Sequence, residues 1–398
     1  MINANLNAPF CLDMHTLTLV DTKDVGTKKG GIYQERSGIK WYVKVTEDLN
    51  IPEFLTSRVL QYLVPNNTSP VSFITDKAGW VASREITGFK AQIDVVTKGK
   101  SVRDEVKLTI ALDFVRYIDR IRGNLGYIVD EENPRSLVAA CVDYDLGFRF
   151  FWSEDHKTVW ISLNHLDQLA EAIDIFGSYS SLSKESFLTY VDSLIAEAIN
   201  HKGDKCAFDL STFRQVVQTR LEKMADLLVA AKKVQAFSNN PRPITVKKLE
   251  KLNSRTQVLF KDKPTLLHLA ATSGIITVVN ALIKSGADLN AMDEQHETPL
   301  IRAVKGDKTE IALRLLQENA NPNRMVHERP LHLAIMRDNV TLARALSKSY
   351  PYKTWTLIEK ALEHKSTRIL AELSPEWIQD ANPNQKEFIL EMRTAFLS

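Results

Sequence analysis

Cysteine is scarce in this sequence of 398 residues, which has three, Cys11, Cys141 and Cys206. Three scattered cysteines are too few for a disulfide framework and lack the paired spacing of a zinc site, so we expect a reducing compartment. An excess of either charge is also missing, because 51 Lys and Arg balance 49 Asp and Glu to leave a net charge of +2. That balance gives no bulk attraction to nucleic acid, so we expect no nucleic-acid partner.

Long apolar runs and a classical export signal are missing as well. The apolar runs have the length of strands, far below the roughly 18 residues of a membrane span, so any membrane contact would be peripheral. The first seven residues lack a basic region followed by an apolar run, so no secretory signal peptide is expected. Hydrophobic residues are 44% and charged residues 25% of the chain, as in ordinary globular proteins. The length predicts two to three soluble domains.

The first part of the chain favours strands around one helix. A helix is predicted from Pro52 to Leu63, and Ser37-Gly38 predicts a two-residue turn inside a hairpin over 32–45. Helical periodicity begins near Val106 and dominates 164–235, and a linker composition follows at Ser238–Pro243. Candidate strands are 17–20, 32–36, 39–45, 80–86 and 137–142. The predicted divisions are 1–105, 106–237, 238–260 and 261–398.

Beyond the linker, one segment repeats three times. Thr265–Ala271 matches Thr298–Val304 at a period of 33, and Arg329–Ile335 follows after a shorter unit. Loop segments repeat too, since Gly286–Asn290 corresponds to Asn319–Asn323. The units resemble ankyrin repeats with their pattern T-P-L-H-x-A, and residues 354–396 resemble a degenerate terminal cap. His268 and His332 occupy the His position of that pattern, which implies a hydrogen bond within the turn and no metal role.

Three features of the strand-rich part suit phosphoryl transfer. Gly26–Gly31 lies between two strand patterns, where free N–H groups can face phosphate oxygens; a purely structural hairpin loop is the alternative. Lys44 ends an apolar strand and Glu53 opens the next helix, and such a pair holds the α- and β-phosphates of ATP in kinases. The alternative for Lys44 is a solvated side chain on a surface strand.

The third feature combines Asp119–Asn124 with Val142–Gly147, which follows a predicted strand. Phosphoryl transfer needs a carboxylate near the attacking hydroxyl, together with Asn and Asp oxygens that hold magnesium. Ordinary turn chemistry is the alternative explanation for these residues.

In this order, residues 24–150 resemble the atypical kinases related to phosphatidylinositol 3/4-kinases and to HipA-type protein kinases. Asp119, Arg120 and Asn124 match the family run D-R-H-x-x-N, and Val142-Asp143-Tyr144 matches the metal-binding triplet I-D-F. Gly79–Phe89 resembles the fifth strand and hinge of the family. The family has His where this chain has Ile121, which either counts against the lipid-kinase interpretation or places the acid-base role wholly on Asp119.

The resemblance implies an α+β bilobal kinase-like domain, with a β-rich N-lobe and a mostly helical C-lobe, followed by the α-helical ankyrin-repeat solenoid. ATP and Mg²⁺ are the implied cofactors. The implied site residues are Lys44 on the ATP phosphates, Glu53 orienting Lys44, Gly30 and Gly31 capping the phosphates, Glu85 and Ile86 gripping adenine, Asp119 as base or substrate-positioning acid, and Asn124 and Asp143 on magnesium.

A kinase-like domain joined to ankyrin repeats resembles the effectors that Legionella and related intracellular bacteria inject into host cells by type IV secretion. That resemblance implies action in the host cytoplasm and a host protein bound by the repeats. The leading hypothesis is an ATP-dependent kinase acting on a phosphoinositide headgroup, and a HipA-like protein kinase acting on a protein hydroxyl is the alternative. A third hypothesis is a non-catalytic ankyrin adaptor.

Overall fold

The computed structural model has a strand-rich N-terminal region followed by a helical C-terminal region. The chain divides into two compact units, the first made of Met1–Leu163 and Ala170–Val229 and the second of Asn164–Leu169 and Ala230–Ser398. The residues that the structure describes are 8–22, 30–45, 50–75, 77, 79–87, 89–91, 101–115, 125–129, 136–142, 161–182, 184–202, 209–324, 330–349, 360–371 and 382–397.

A six-stranded sheet forms the first part of the first unit. Its strands are β1 (Cys11–Leu12), β2 (Leu17–Asp21), β3 (Gly30–Glu35), β4 (Lys40–Val45), β5 (Val71–Ile74) and β6 (Trp80–Arg84). They lie in the order β1-β5-β6-β4-β3-β2, and all neighbours are antiparallel except β1 and β5. Trp41 and Val43 of β4 belong to a buried cluster on one face. Because side chains alternate along a strand, Lys44 points to the opposite face.

The hairpin predicted over 32–45 is confirmed, since β3 pairs with β4. Its turn is longer than the predicted two residues. The Glu35 N–H donates to the Ile39 carbonyl at 2.8 Å, which leaves Arg36, Ser37 and Gly38 as the connection. Gly38 has a φ of +90°, the left-handed conformation that closes a three-residue hairpin with a bulge.

Helix α1 (Asn50–Leu63) covers the face of the sheet to which Lys44 points. The predicted helix is confirmed and begins two residues earlier than expected. Phe54 is fully buried and stacks on Phe73 of β5, with ring centroids 4.2 Å apart. A fully buried side chain of this kind contributes about 1.5–3 kcal/mol to folding, so α1 is held firmly against the sheet.

A smaller sheet and a helix follow in the same unit. The elements are β7 (Phe89–Ala91), β8 (Ser101–Arg103), α2 (Glu105–Phe114), β9 (Leu125–Val129) and β10 (Ser136–Cys141), with the strands in the order β7-β9-β10-β8. β9 and β10 are antiparallel, and Leu125 pairs with Cys141 at one end of their ladder. The strand predicted at 137–142 is therefore present.

Three long helices complete the described part of the first unit and lead into the second. They are α3 (Leu169–Ser181), α4 (Lys184–Lys202) and α5 (Leu210–Asn239), in agreement with the helical pattern at 164–235. The division between the units falls inside α5, between Val229 and Ala230. Of all the helices in the described ranges, none is long and apolar enough to cross a membrane.

Short paired helices build most of the second unit. They are α6 (Val246–Leu259), α7 (Leu266–Ser273), α8 (Ile276–Lys284), α9 (Pro299–Lys305), α10 (Thr309–Gln317), α11 (Pro330–Met336), α12 (Val340–Ser347), α13 (Thr367–Ala371) and α14 (Pro383–Leu397). The three repeated sequence segments coincide with α7, α9 and α11, so the predicted register is confirmed. Each of these helices packs against the helix that follows it.

Candidate functional site

Lys44 and Glu53 form an ion pair between the sheet and α1. The distance from Lys44 Nζ to Glu53 Oε1 is 3.0 Å, and the two side chains are 3% and 0% exposed. Lys44 lies in β4 between Gly30 of β3 and Val81 of β6, and Glu53 lies in the first turn of α1. The alternative of a solvated lysine is wrong, because the residue is buried.

Burial gives this pair a structural consequence. Removing two charges from water is costly, and only a close, well-oriented partner offsets the cost. Each charge therefore requires the other to stay in place, which fixes α1 relative to β4. The Lys44 ammonium group is thus held by the Glu53 carboxylate on the face of β4 that α1 covers.

Gly30 and Gly31 begin β3 beside this pair. A Cβ atom on Gly30 would lie 2.5 Å from the Val43 carbonyl oxygen and 3.3 Å from Lys44 Cβ. A side chain at Gly30 would therefore push β3 away from β4 and disturb the strand that carries Lys44. The earlier part of the glycine-containing segment, 26–29, lies outside the described residues.

Glu85 and Ile86 follow directly after β6. The Glu85 N–H donates to the Lys40 carbonyl at 2.9 Å, so this donor is already used. The Ile86 carbonyl accepts from the Phe89 N–H at 3.1 Å. Within the described part of the chain, the Glu85 carbonyl and the Ile86 N–H make no backbone hydrogen bond. One acceptor and one donor therefore stand side by side at the end of β6.

Asp119, Asn124 and Asp143 lie outside the described residues, as does Ile121. Leu125, which follows Asn124, pairs directly with Cys141, which lies two residues before Asp143, between β9 and β10. Over the described ranges, no cluster of three or more His, Cys, Asp or Glu side chains could hold a metal ion.

Asn67 is a buried connection between two elements that the sequence did not reveal. It lies between α1 and β5, is buried, and its Nδ2 donates to the Ala139 carbonyl at 2.8 Å. Its own carbonyl accepts from the Cys141 N–H at 2.9 Å. Asn67 thus joins the end of α1 to β10, the strand that precedes Asp143. The polar run Asn66–Ser69 was the available signal, but the partner of Asn67 is 72 residues away in the chain.

The C-terminal end of α2 is also fixed by buried polar groups that the sequence does not reveal. Asp113 accepts from the Ser162 N–H at 2.7 Å and from the Ser162 hydroxyl at 3.1 Å. Arg220 of α5 donates to the Phe114 carbonyl at 2.7 Å. The bond from Arg220 satisfies a carbonyl at the helix end that the helix itself leaves open. These contacts anchor the chain just before the segment that contains Asp119.

His268 links successive units of the repeated part. Its Nδ1 accepts from the Thr265 N–H at 3.2 Å and lies 2.7 Å from the Thr265 hydroxyl oxygen. Its Nε2 lies 3.0 Å from the carbonyl oxygen of Glu297 in the next unit. Because Nδ1 accepts, Nε2 carries the hydrogen and donates. The hydrogen bond within the turn expected for His268 is confirmed.

Comparison with known proteins agrees with the repeat geometry. The family model described as "Ankyrin repeats (3 copies)" matches residues 227–326. This segment consists of ankyrin repeats. The rice protein E3 ubiquitin-protein ligase XB3 (Oryza sativa subsp. japonica) is 37% identical over 60 residues, which are 15% of this chain and 13% of that protein. The ankyrin repeats support a protein-interaction role for the second unit.

A cleft of about 630 Å³ opens on the ankyrin repeats between α10 and α12. Apolar and polar side chains line it together, among them Leu313, Leu316, Gln317, Pro322, Ala345 and Lys348.

The ankyrin repeats are expected to lose stability as the pH falls from 7 to 5. Burial lowers the pKa of His268 below its usual 6.5, and the positive charge of Arg302 lowers it further. The backbone carbonyls of Glu297 and Ala291 and the charge of Asp293 oppose this shift without cancelling it. The folded state therefore binds this proton less readily than the unfolded state. The contribution of His268 is complete above pH 6.5 and is lost as the pH falls through the unfolded pKa towards the folded one.

Urea unfolding of the second unit at several pH values measures this loss, whose slope is at most about 1.4 kcal/mol per pH unit for one proton. His268→Gln should flatten the slope, whereas the exposed His296→Gln should leave it unchanged. An unchanged slope in His268→Gln would contradict the assignment.

Proposed function

We propose that the first unit is an ATP-dependent phosphotransferase and that the ankyrin repeats bind its protein partner. The observation that carries the proposal is the buried pair of Lys44 and Glu53, 3.0 Å apart between a strand and the helix that follows it. Protein kinases place a lysine and a glutamate on these two kinds of element, and the lysine contacts the ATP phosphates. Apolar residues of similar volume would fill this position at little or no cost in stability, which favours a chemical task for the pair.

In this proposal each described residue has a defined task. Lys44 binds phosphate oxygens, and Glu53 orients the Lys44 ammonium group. Gly30 keeps β3 close to β4, so that backbone groups reach the phosphates. The Glu85 carbonyl and the Ile86 N–H offer an acceptor and a donor to the edge of adenine. One hydrogen-bonding pair of this kind orients a planar base.

The magnesium ligands proposed are Asn124 and Asp143, because amide and carboxylate oxygens are ligands that Mg²⁺ prefers. Leu125 follows Asn124 and Cys141 lies two residues before Asp143, so the pairing of Leu125 with Cys141 supports a common site. A bound Mg²⁺ neutralises charge on the β- and γ-phosphates.

Asp119 is proposed to position the acceptor hydroxyl and accept its proton. The bond between the γ-phosphorus and the ADP oxygen breaks, and a bond forms from that phosphorus to the acceptor oxygen. The proton passes to Asp119 and then to solvent. With Ile121 in place of a histidine, no imidazole two positions after Asp119 shares this task.

The acceptor proposed first is a phosphoinositide headgroup, on the resemblance of the run Asp119-Arg120 and Asn124, and a protein hydroxyl is the alternative. By the resemblance of its architecture to ankyrin-bearing bacterial effectors, we place the activity in a host cytoplasm. The ankyrin repeats would then select the host protein.

Transfer of labelled γ-phosphate tests the proposal. The full chain is incubated with labelled ATP and Mg²⁺, with mixed phosphoinositides in one arm and a eukaryotic lysate in the other. We expect label in lipid or protein that is absent with Asp143→Ala. Label in neither arm, with no ATP binding in a thermal-shift assay, would overturn the phosphotransferase and leave an ankyrin adaptor.

A further inference from the structure

Arg58 is a fully buried arginine on the helix that carries Glu53. Its Nε donates to the Val71 carbonyl at 2.7 Å, which ties α1 to β5. Its two terminal nitrogens donate to the carbonyls of Ala8 and Pro9, at 2.9 and 2.5 Å, and to the Ser72 hydroxyl oxygen at 3.0 Å. One side chain on α1 therefore forms hydrogen bonds both to the sheet and to a segment near the N-terminus.

That segment, residues 8–12, is called here the N-terminal strap. It ends in β1, which lies parallel to β5, and its Phe10 and Leu12 carbonyls accept from the Phe73 and Thr75 N–H groups at 2.8 and 3.0 Å. The ring of Phe10 meets the ring of Phe54 edge-on, with centroids 5.9 Å apart. The strap thus contacts α1 and the sheet together.

The surroundings of the guanidinium group are unusual for a charge. Among the described residues, the guanidinium group donates to four oxygens, and all four are uncharged. The Phe10 and Phe54 rings lie 5.0 and 5.5 Å from its central carbon. Burial lowers the pKa of Arg58 to about 10, with Tyr190, Cys11 and Glu197 opposing the shift. Burying a charge costs free energy of desolvation, so Arg58 adds little to stability. Its four hydrogen bonds instead fix the geometry of the elements that they join.

We propose that the N-terminal strap and Arg58 form a positioning device that holds α1 where Glu53 meets Lys44. Arg58 follows Glu53 by five residues on one rigid helix, so a shift of α1 at Arg58 moves Glu53 by a similar distance. The 3.0 Å ion pair does not survive a shift of a few ångströms. Release of the strap therefore exposes Lys44. The device bears on catalysis only if the first unit binds ATP, and in that respect it rests on the proposed function.

The reactivity of Lys44 tests the device without any nucleotide. The full chain is treated with an amine-acylating reagent, and mass spectrometry gives the modification rate of Lys44 relative to the exposed Lys184. In Arg58→Met we expect the Lys44 rate to rise about tenfold or more, because hydrogen bonds to a charged group stabilise by at least that factor. Arg36→Met, an exposed arginine in the turn of the same sheet, is the matched control and should change nothing.

A second variant, Ser72→Ala, tests the device if the Arg58→Met protein does not fold. Ser72→Ala keeps the arginine but removes one acceptor and the Ser72 hydroxyl that donates to the Pro9 carbonyl at 2.5 Å. It should raise the Lys44 rate several-fold to about tenfold, because two hydrogen bonds are lost and each makes a modest net contribution. A folded Arg58→Met or Ser72→Ala protein in which Lys44 stays as protected as in the native chain would overturn the device.

ATP affinity separates positioning from general destabilisation. If Arg58 acts through Glu53, the variant with both Arg58→Met and Glu53→Gln should bind ATP no more weakly than Glu53→Gln alone. If the two substitutions together lower the ATP affinity by the product of their separate effects, Arg58 does not act through Glu53. If the native chain binds no ATP, the proposed function fails. The Lys44 acylation rates still show whether the N-terminal strap and Arg58 hold α1 in place.

Discussion

Replacing Lys44 alone by methionine is expected to lower the free energy of unfolding of the first unit by about 3–5 kcal/mol. The substitution leaves Glu53, 0% exposed, as a buried charge with its lysine partner removed. Glu53 must then take up a proton or draw in water, and either change costs stability. Urea unfolding followed by tryptophan fluorescence, to which Trp41 of the same strand contributes from a buried position, measures the loss.

Two further variants make this result specific to the buried pair. Lys44→Met combined with Glu53→Leu removes both charges and should recover most of the loss, because apolar residues of similar volume replace a buried pair at little or no cost. Lys184→Met breaks an exposed pair with Glu222 in the same unit, whose side chains are 48% and 52% exposed, and should cost less than about 1 kcal/mol. Equal losses in Lys44→Met and Lys184→Met would contradict the assignment.

Local sequence signals predicted the elements that carry the pair. The apolar alternation of β4 and the early Pro52 of α1 define a strand and a helix only a few residues apart. A lysine near the end of the strand and a glutamate in the first turn of the helix are nine residues apart in the chain, so a helix packed on the face of the strand that carries the lysine brings the two together. Which face the helix covers was left open by the sequence. The register of the ankyrin repeats was predictable from local signals too, because two independent segments of each repeat match those of the next.

Long-range polar contacts were not predictable from periodicity. Arg58 lies among apolar residues of α1 and bonds to carbonyls about 50 residues earlier, where no side-chain pattern marks an acceptor. Asn67 and Asp113 likewise bond to groups far along the chain. The length of the Ser37-Gly38 turn also escaped prediction, because the left-handed Gly38 suits two-residue and three-residue connections alike.

These positioning contacts share one consequence for the candidate site. Arg58 fixes the middle of α1, and Asn67 fixes the chain beyond its end. Through Asn67 the same helix is tied to β10, the strand that precedes Asp143. A displacement of α1 would therefore affect Lys44 at one end of the proposed site and the segment before Asp143 at the other. Such a coupling suits a site whose parts must be assembled together.

The stability-restored variant, Lys44→Met with Glu53→Leu, is expected to fold and yet to transfer phosphate about 10²–10³-fold more slowly than the native chain. A positioned group that stabilises transition-state charge contributes about this factor, and a methionine supplies no positive charge to the phosphates. Labelled-phosphate transfer at saturating ATP measures the loss, with Lys184→Met as the active control. Because this variant keeps its stability, lost transfer cannot be ascribed to unfolding. A folded double variant that transfers phosphate at the native rate would show that Lys44 serves the fold and does not bind ATP.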